Sequence, residues 1–301
     1  MYNNFQQNNR PKKELTIHMK INKSLINTFL YLCLLVFFSA CSTKKKTWVS
    51  RQYHNTTAKY NGYFNGKESI KYGVKKINDS FEDDYSEVLP VFRIGDLKKS
   101  KSTLPYMDKA IQKGSIVIQK HSIKIRGKEY CRWIDDNYLM VGKAYFYKGD
   151  FDEAAKTFSF IIEEYKKTPI IYEASLWLSR CFIEKKDFVS AESILIDLSN
   201  NRKFPEKLEK DFEIINADFY VRQKNYSLAK ESLLNCINNY KLKKDKARLN
   251  YILAQIFQIE ENFRQASKYY NQVLKSNSDY SMVFNTKMNL ALCAEIGRAH
   301  V

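Results

Sequence analysis

Between residues 138 and 274 small and apolar side chains return at helical spacing, and the whole pattern repeats in blocks. The stretch "YLMVGKAYFYKGDFDEAAKTFSFII" (138–162) sets Gly142 three residues before Tyr145, then Ala154 four before Phe158. The frame returns as Ser179, Phe182, Ala191 and Leu195, then as Ala217, Tyr220, Ala229 and Leu233, then as Ala254, Phe257, Ala266 and Tyr270. Successive copies are offset by 37, 38 and 37 residues. Spacings of three and four put each pair on one helix face, so every block predicts two helices. A small residue on the first helix lets its neighbour approach and the aromatic fills the groove beside it; the second helix repeats the device with Ala and a larger apolar residue. Turn chemistry falls between the two. Asp150, Asp187, Asn225 and Asn262 each precede an aromatic residue and are the expected side-chain N-caps of the second helices. Glu153 and Gln265 stand where a capping box would place them, and Gly149 stands where a helix ends.

The spacing of Gly142 with Tyr145 and Ala154 with Phe158 resembles that of a tetratricopeptide repeat, with Tyr138 where that motif has Trp and Val141 where it has Leu. The usual period is about 34 residues, so these copies run three or four longer, near one helical turn, and the Pro expected at the repeat end is mostly missing. The expected fold is all-α, a tetratricopeptide-like solenoid of helical hairpins over residues 131–294. Residues 51–130 form a helical region of degenerate repeats, clearest in "YHNTTAKYNGYFNGKESIKYGVKKI" and "MDKAIQKGSIVIQKHSI" and interrupted by "EDDYSEVLPVF". Ala291, 37 residues past Ala254, would open a fifth repeat. Residues 295–301, "EIGRAHV", read as a translated sequencing adapter, so the natural protein is expected to continue differently beyond residue 294.

The N-terminal part follows a different logic. Phe29 to Phe38 carries no charge, but ten residues fall short of the about 20 that a membrane-crossing helix needs. Lys20 and Lys23 precede this run and the small pair Ser39-Ala40 follows it, which are the parts of a secretory signal. Phe38-Ser39-Ala40-Cys41 resembles the lipobox of bacterial lipoproteins, with Phe38 in place of the usual Leu; there the cysteine is acylated and becomes the new N-terminus. The expectation is a signal peptide over 19–40, a lipidated Cys41 and a basic tether to residue 50. The polar stretch 1–18 suits no signal, so Met19 is the expected start.

Composition narrows the function. With 44% hydrophobic and 14% aromatic residues against only 9 Gly and 5 Pro, the chain reads as ordered and helix-rich. The formal charge is +17, of which +13 stays with the chain beyond residue 40. Export argues against nucleic acid as a partner, and lysines spread over solvated helix faces account for most of the excess. Lys44 to Lys46 differ, since beside an acylated cysteine each can add up to about 1 kcal/mol on anionic lipid; a soluble tether is the equal alternative. Of six cysteines, Cys33 leaves with the signal and Cys41 carries lipid; Cys131, Cys181, Cys236 and Cys293 show neither CxxC nor a His at metal-ligand spacing. Cys181 and Cys236 suit core packing. An oxidising periplasm permits a bridge, but the spacing does not indicate one. His54 and His121 stand alone in sequence, and the acids Asp135-Asp136 and Glu82-Asp83-Asp84 suit helix starts and solvated loops. Catalytic, metal and cofactor sites are therefore not expected.

With these residues in place, 47–294 resembles the SprE/PorW-type lipoproteins of the Bacteroidota type IX secretion system. The resemblance rests on the lipobox cysteine, "YHNTTAKYNGYFNG", "VLPVF", "MDKAIQKGSIVIQKHSI" and "WIDDNYLMVGKAYFYKGDF". It implies an outer-membrane lipoprotein facing the periplasm, required for cargo export and in some species for gliding motility. Its partners would be other proteins of that machinery and, through Cys41, the lipid membrane, and no catalytic residues carry over. The expected binding surface is a concave groove with exposed Tyr and Lys suited to an acidic, partly apolar partner. The alternative is a lipoprotein receptor of the same fold that binds cell-wall glycan or another ligand.

Overall fold

A computed structural model describes residues 27–28, 31, 47–94, 102–239, 243–276 and 278–299. The expected lipobox, Phe38 to Ala40 with Cys41, lies outside them. Contacts divide the chain into two units, 1–42 and 43–301, and the helical repeats all belong to the second.

Helix α1 (Trp48–Thr57) runs through a π-helical stretch, Ala58–Phe64, into α2 (Asn65–Ser80). Helix α3 (Leu104–His121) returns antiparallel to this long helix, and a short hairpin of β1 (Lys124–Ile125) and β2 (Lys128–Glu129) leads onward. Four hairpins follow: α4 (Ile134–Lys148) with α5 (Phe151–Glu164), α6 (Ile170–Glu184) with α7 (Phe188–Ser199), α8 (Glu209–Arg222) with α9 (Tyr226–Asn239), and α10 (Lys243–Ile259) with α11 (Phe263–Leu274). Helix α12 (Tyr280–Ala299) packs on α11. Consecutive helices pack together, and α4, α6 and α8 also touch in succession, so the first helices form one wall of an all-α solenoid.

The repeat residues occupy the joints between helices. Ala154, Ala191, Ala229 and Ala266 are fully buried, as are Phe158, Leu233 and Tyr270, while Leu195 is nearly so. On the first helices Ser179, Ala217 and Ala254 are fully buried. A Cβ added to Gly142 would stand 2.6 Å from the Phe158 ring, which is the close approach this position requires. Tyr145, Phe182, Tyr220 and Phe257 lie half-buried at the cluster margins.

These four aromatics also mark the turns. Their carbonyls accept the N–H of Asp150, Asp187, Asn225 and Asn262 at 2.8–3.0 Å, the long bond of a Schellman ending. The intervening residue is left-handed each time: Gly149 (φ 86°), Lys186 (60°), Lys224 (59°) and Glu261 (57°). Asp187, Asn225 and Asn262 then accept a backbone N–H three residues on, at 3.1, 3.4 and 3.2 Å, as N-caps do. Asp150 departs from expectation. Its side chain makes no cap bond, Glu153 pairs with Lys156 instead, and the turn closes through the Ala154 N–H on the Asp150 carbonyl.

Residues 81–94 do not simply link α2 to α3. They form an extended strap that crosses the first-helix wall, and it carries Leu89 and Val91 into the same core as α8 to α11. On α12, Tyr280, Phe284, Met288 and Leu292 recur every four residues on an exposed face.

Candidate functional site: a groove held by its own strap

The first helices of the hairpins supply the groove. The residue after each small repeat position is polar: Lys143, Arg180, Asp218 and Gln255. Its neighbour is buried in the helix joint, so this position turns toward the concave side, and three of the four grip the strap.

Gln255, itself buried, reads the strap as one strand reads another. Its Oε1 accepts the Leu89 N–H at 2.9 Å and its Nε2 donates to the Glu87 carbonyl at 2.7 Å. Further along, the Asp218 carboxylate accepts the Val91 N–H at 3.1 Å. Proline at 90 suits this course, since it holds the preceding residue extended and has no N–H to satisfy. Arg248 ties two parts of the strap together: its Nε donates to the Pro90 carbonyl at 2.8 Å, and its two terminal nitrogens reach Asp83 at 2.9 and 2.7 Å. Arg93 meets the same carboxylate at 2.9 Å and also reaches Asp279, just ahead of α12, at 3.4 Å. Apolar contacts close the rest. Leu89 is 1% exposed, Tyr85 meets Tyr251 edge-on at 5.4 Å, and Arg180 lies 4.2 Å from the rings of both Phe92 and Trp177.

Charge here is confined. Burial opposes ionisation of Asp83, but the hydrogen bonds and charges of Arg248 and Arg93 outweigh it and hold the carboxyl below the ordinary range. Asp218 is driven the other way by burial, against Arg222, Arg180 and the strap amides that favour its charge. Glu184 is likewise raised by burial, although the Arg222 guanidinium binds it at 2.7 Å.

Two expectations change. The groove does take an acidic, partly apolar segment, but that segment, "EDDYSEVLPVF", belongs to the chain itself. Asp83 is not a solvated loop acid; its side chain is 2% exposed between two guanidiniums. Sequence reasoning missed the gripping residues because it followed the apolar repeat frame. A signal was there, in the recurrence of polar residues one place beyond each small residue.

The other residues of interest lie elsewhere. His54 and His121, distant in sequence, are joined where α1 crosses α3, with Nδ1 atoms 2.8 Å apart, so one ring donates to the other. Burial lowers the pKa of both, and for His121 the charges of His54 and Lys120 add to it. Asp135 and Asp136 stand in the first turn of α4, the helix start expected of them, and are half-buried there. Burial, then the neighbouring Asp135 and Glu173 charges, push Asp136 up to about 6. The four cysteines of the repeats are buried and unbridged, and burial raises their thiols, Cys131 to about 11 and Cys181 and Cys236 to about 12. No group of three or more potential metal ligands occurs among the described residues.

Two tetratricopeptide-repeat family models match the chain, one over residues 139–199 and one over 247–280. The first spans hairpins α4–α5 and α6–α7, and the second covers most of α10 and all of α11. The intervening hairpin shares their frame and their Schellman turn. No curated protein matches the chain.

Proposed function

We propose that this tetratricopeptide-like solenoid is a non-catalytic scaffold for protein contacts, carried on a lipid-anchored periplasmic protein of the outer membrane that serves type IX secretion and, in some species, gliding motility. The observation that carries the scaffold reading is the groove's mode of recognition. Side chains of the first helices bind the backbone of an extended segment and bury its alternate apolar residues, which is how a repeat surface holds a peptide. The narrower assignment draws its support from the lipobox-like Phe38-Ser39-Ala40-Cys41 and from the resemblance of 47–294. A partner segment entering this groove has to displace the strap, an intramolecular competitor at high effective concentration. Contacts that leave the strap in place use the outer helix faces.

Deleting the gene should strand type IX cargo inside the cell while general secretion continues, and Cys41→Ala should abolish palmitate labelling. Normal cargo export in the deletion strain would sink the secretion reading. Undiminished labelling of Cys41→Ala would sink the anchor.

A further inference from the structure

The outer face of the N-terminal helix combines exposed aromatic rings with cations. Trp48, Tyr53, Tyr60, Phe64 and Tyr72 are all exposed there, from 47% for Tyr53 to 67% for Trp48. They lie opposite the side that buries Ala58, Gly62, Gly66 and Gly73 against α3 and α4. From residue 47 to 78 the chain has six cations, Arg51, Lys59, Lys67, Lys71, Lys75 and Lys76, and one acid, Glu68.

At the start of this face is a cleft of about 430 Å³ whose lining includes Arg51, Lys59, Arg132, Trp48, Tyr60 and Trp133, with no carboxylate. The Lys59 ammonium stands 5.1 Å from the Tyr60 ring centre and 5.3 Å from that of Trp133. The Arg51 Nε is buried without a hydrogen-bond partner. Three cations converge here, and none of them makes an ion pair within the described residues.

We propose that this face lies on an anionic phospholipid surface, with the Arg51–Lys59–Arg132 cleft taking a headgroup phosphate and the exposed aromatic rings seated at the headgroup level. Arg and Lys supply the positive charge and N–H donors that an anionic phosphate binds, and amphipathic rings favour the membrane–water boundary. Among the described residues no helix is long and apolar enough to cross a membrane. The exposed rings are spread along the helix from Trp48 to Tyr72, which suits a contact lying along the bilayer surface. The orientation rests on the proposed acylation of Cys41. Trp48 follows it by seven residues, a reach of about 25 Å at full extension. One acyl-anchored point and one basic-aromatic face together set how the solenoid stands on the bilayer.

The test uses the mature acylated protein with an environment-sensitive thiol probe at Phe64→Cys, or at Val189→Cys on α7 as control. The buried native cysteines, with raised thiol pKa values, stay unlabelled. On phosphatidylcholine vesicles containing phosphatidylglycerol, the probe at 64 should shift to the blue and be quenched by headgroup-level spin labels, and the probe at 189 should not. Arg51→Glu with Lys59→Glu, checked for unchanged helicity, should weaken that response by about thirtyfold or more, at about 1 kcal/mol per cation removed. An unshifted probe on protein that remains vesicle-bound overturns the face and spares the anchor. Failure to bind either vesicle overturns the anchor reading itself. Equal shifts on vesicles without phosphatidylglycerol, or crosslinking of position 64 to a protein and not to lipid in cells, also overturn the proposal.

Discussion

The clasp of Asp83 by Arg248 and Arg93 offers the most direct measure of how firmly the strap holds the groove. Asp83→Ala removes three charge-assisted contacts at 2.7, 2.9 and 2.9 Å from a carboxylate whose side chain is 2% exposed. Breaking a buried pair costs about 3–5 kcal/mol because the surviving charge loses its partner. The Arg248 and Arg93 side chains keep 14% and 26% of their exposure, so water reaches them and the lower end, about 3 kcal/mol, is expected. Arg248→Ala should cost a similar amount, since it also frees the Pro90 carbonyl. The double variant should cost less than the two singles together, by about 1.5–3 kcal/mol of coupling. Two assays apply: the urea midpoint for overall stability, and hydrogen exchange at the Leu89 and Val91 amides for the strap. In either single variant those amides should exchange about a hundredfold faster, as 1.4 kcal/mol is a factor of ten. The effect depends on pH in a defined sense. Asp83 has a lowered folded pKa, so its contribution is fully present above the unfolded value of about 3.9 and is lost as pH falls through the lower folded value. Strictly additive single variants, or amides at 89 and 91 that exchange freely in the wild type, would refute the clasp.

Other predictions concern the hairpins and the N-terminal joint. His54 and His121 have lowered pKa values, so they stay neutral in the fold while the unfolded chain takes up protons below about 6.5; stability should decline as pH falls from there, and His121→Gln should flatten that decline in an acid titration followed by circular dichroism. Lys186, Lys224 and Glu261 sit at positive φ where the first turn has Gly149, so each change to Gly should gain about 0.5 kcal/mol, the relief of left-handed strain less the added freedom of the unfolded chain, read as a higher thermal midpoint. Gly142→Ala should cost about 1–3 kcal/mol, because its Cβ must displace the Phe158 ring, and Phe158→Leu in the same chain should recover part of that loss.

The helices were legible because their information is local. Small, aromatic and Ala positions recur at fixed offsets, and the turn between them is specified by neighbours only a few residues away. The strap was not legible for the opposite reason. Its partners lie far along the chain, 168 residues on for Glu87 and Gln255 and 186 for Arg93 and Asp279, and an extended segment of acids and apolar residues has no period to betray its location. The failure at Asp83 is of the same kind: an acid in a linker reads as solvated until a distant arginine is placed over it. His54 and His121 likewise meet only because two helices cross. Asp150 shows a finer limit, since capping-box residues can be present while the turn closes through backbone bonds alone.

The strap also changes what partner binding requires. In an open solenoid the concave wall is available throughout, and affinity follows directly from contacts made there. Here the polar row of Arg180, Asp218 and Gln255 is committed to residues 81–94, so a competing segment gains only the difference between its own contacts and the strap's. Because the strap joins α2 to α3 and grips α6, α8 and α10, its release would also loosen the N-terminal hairpin from the repeats, coupling partner entry to the stability of the solenoid. A groove partner should therefore raise exchange at the Leu89 and Val91 amides while protecting the wall. A partner on the outer faces should leave those two amides as slow as in the free protein.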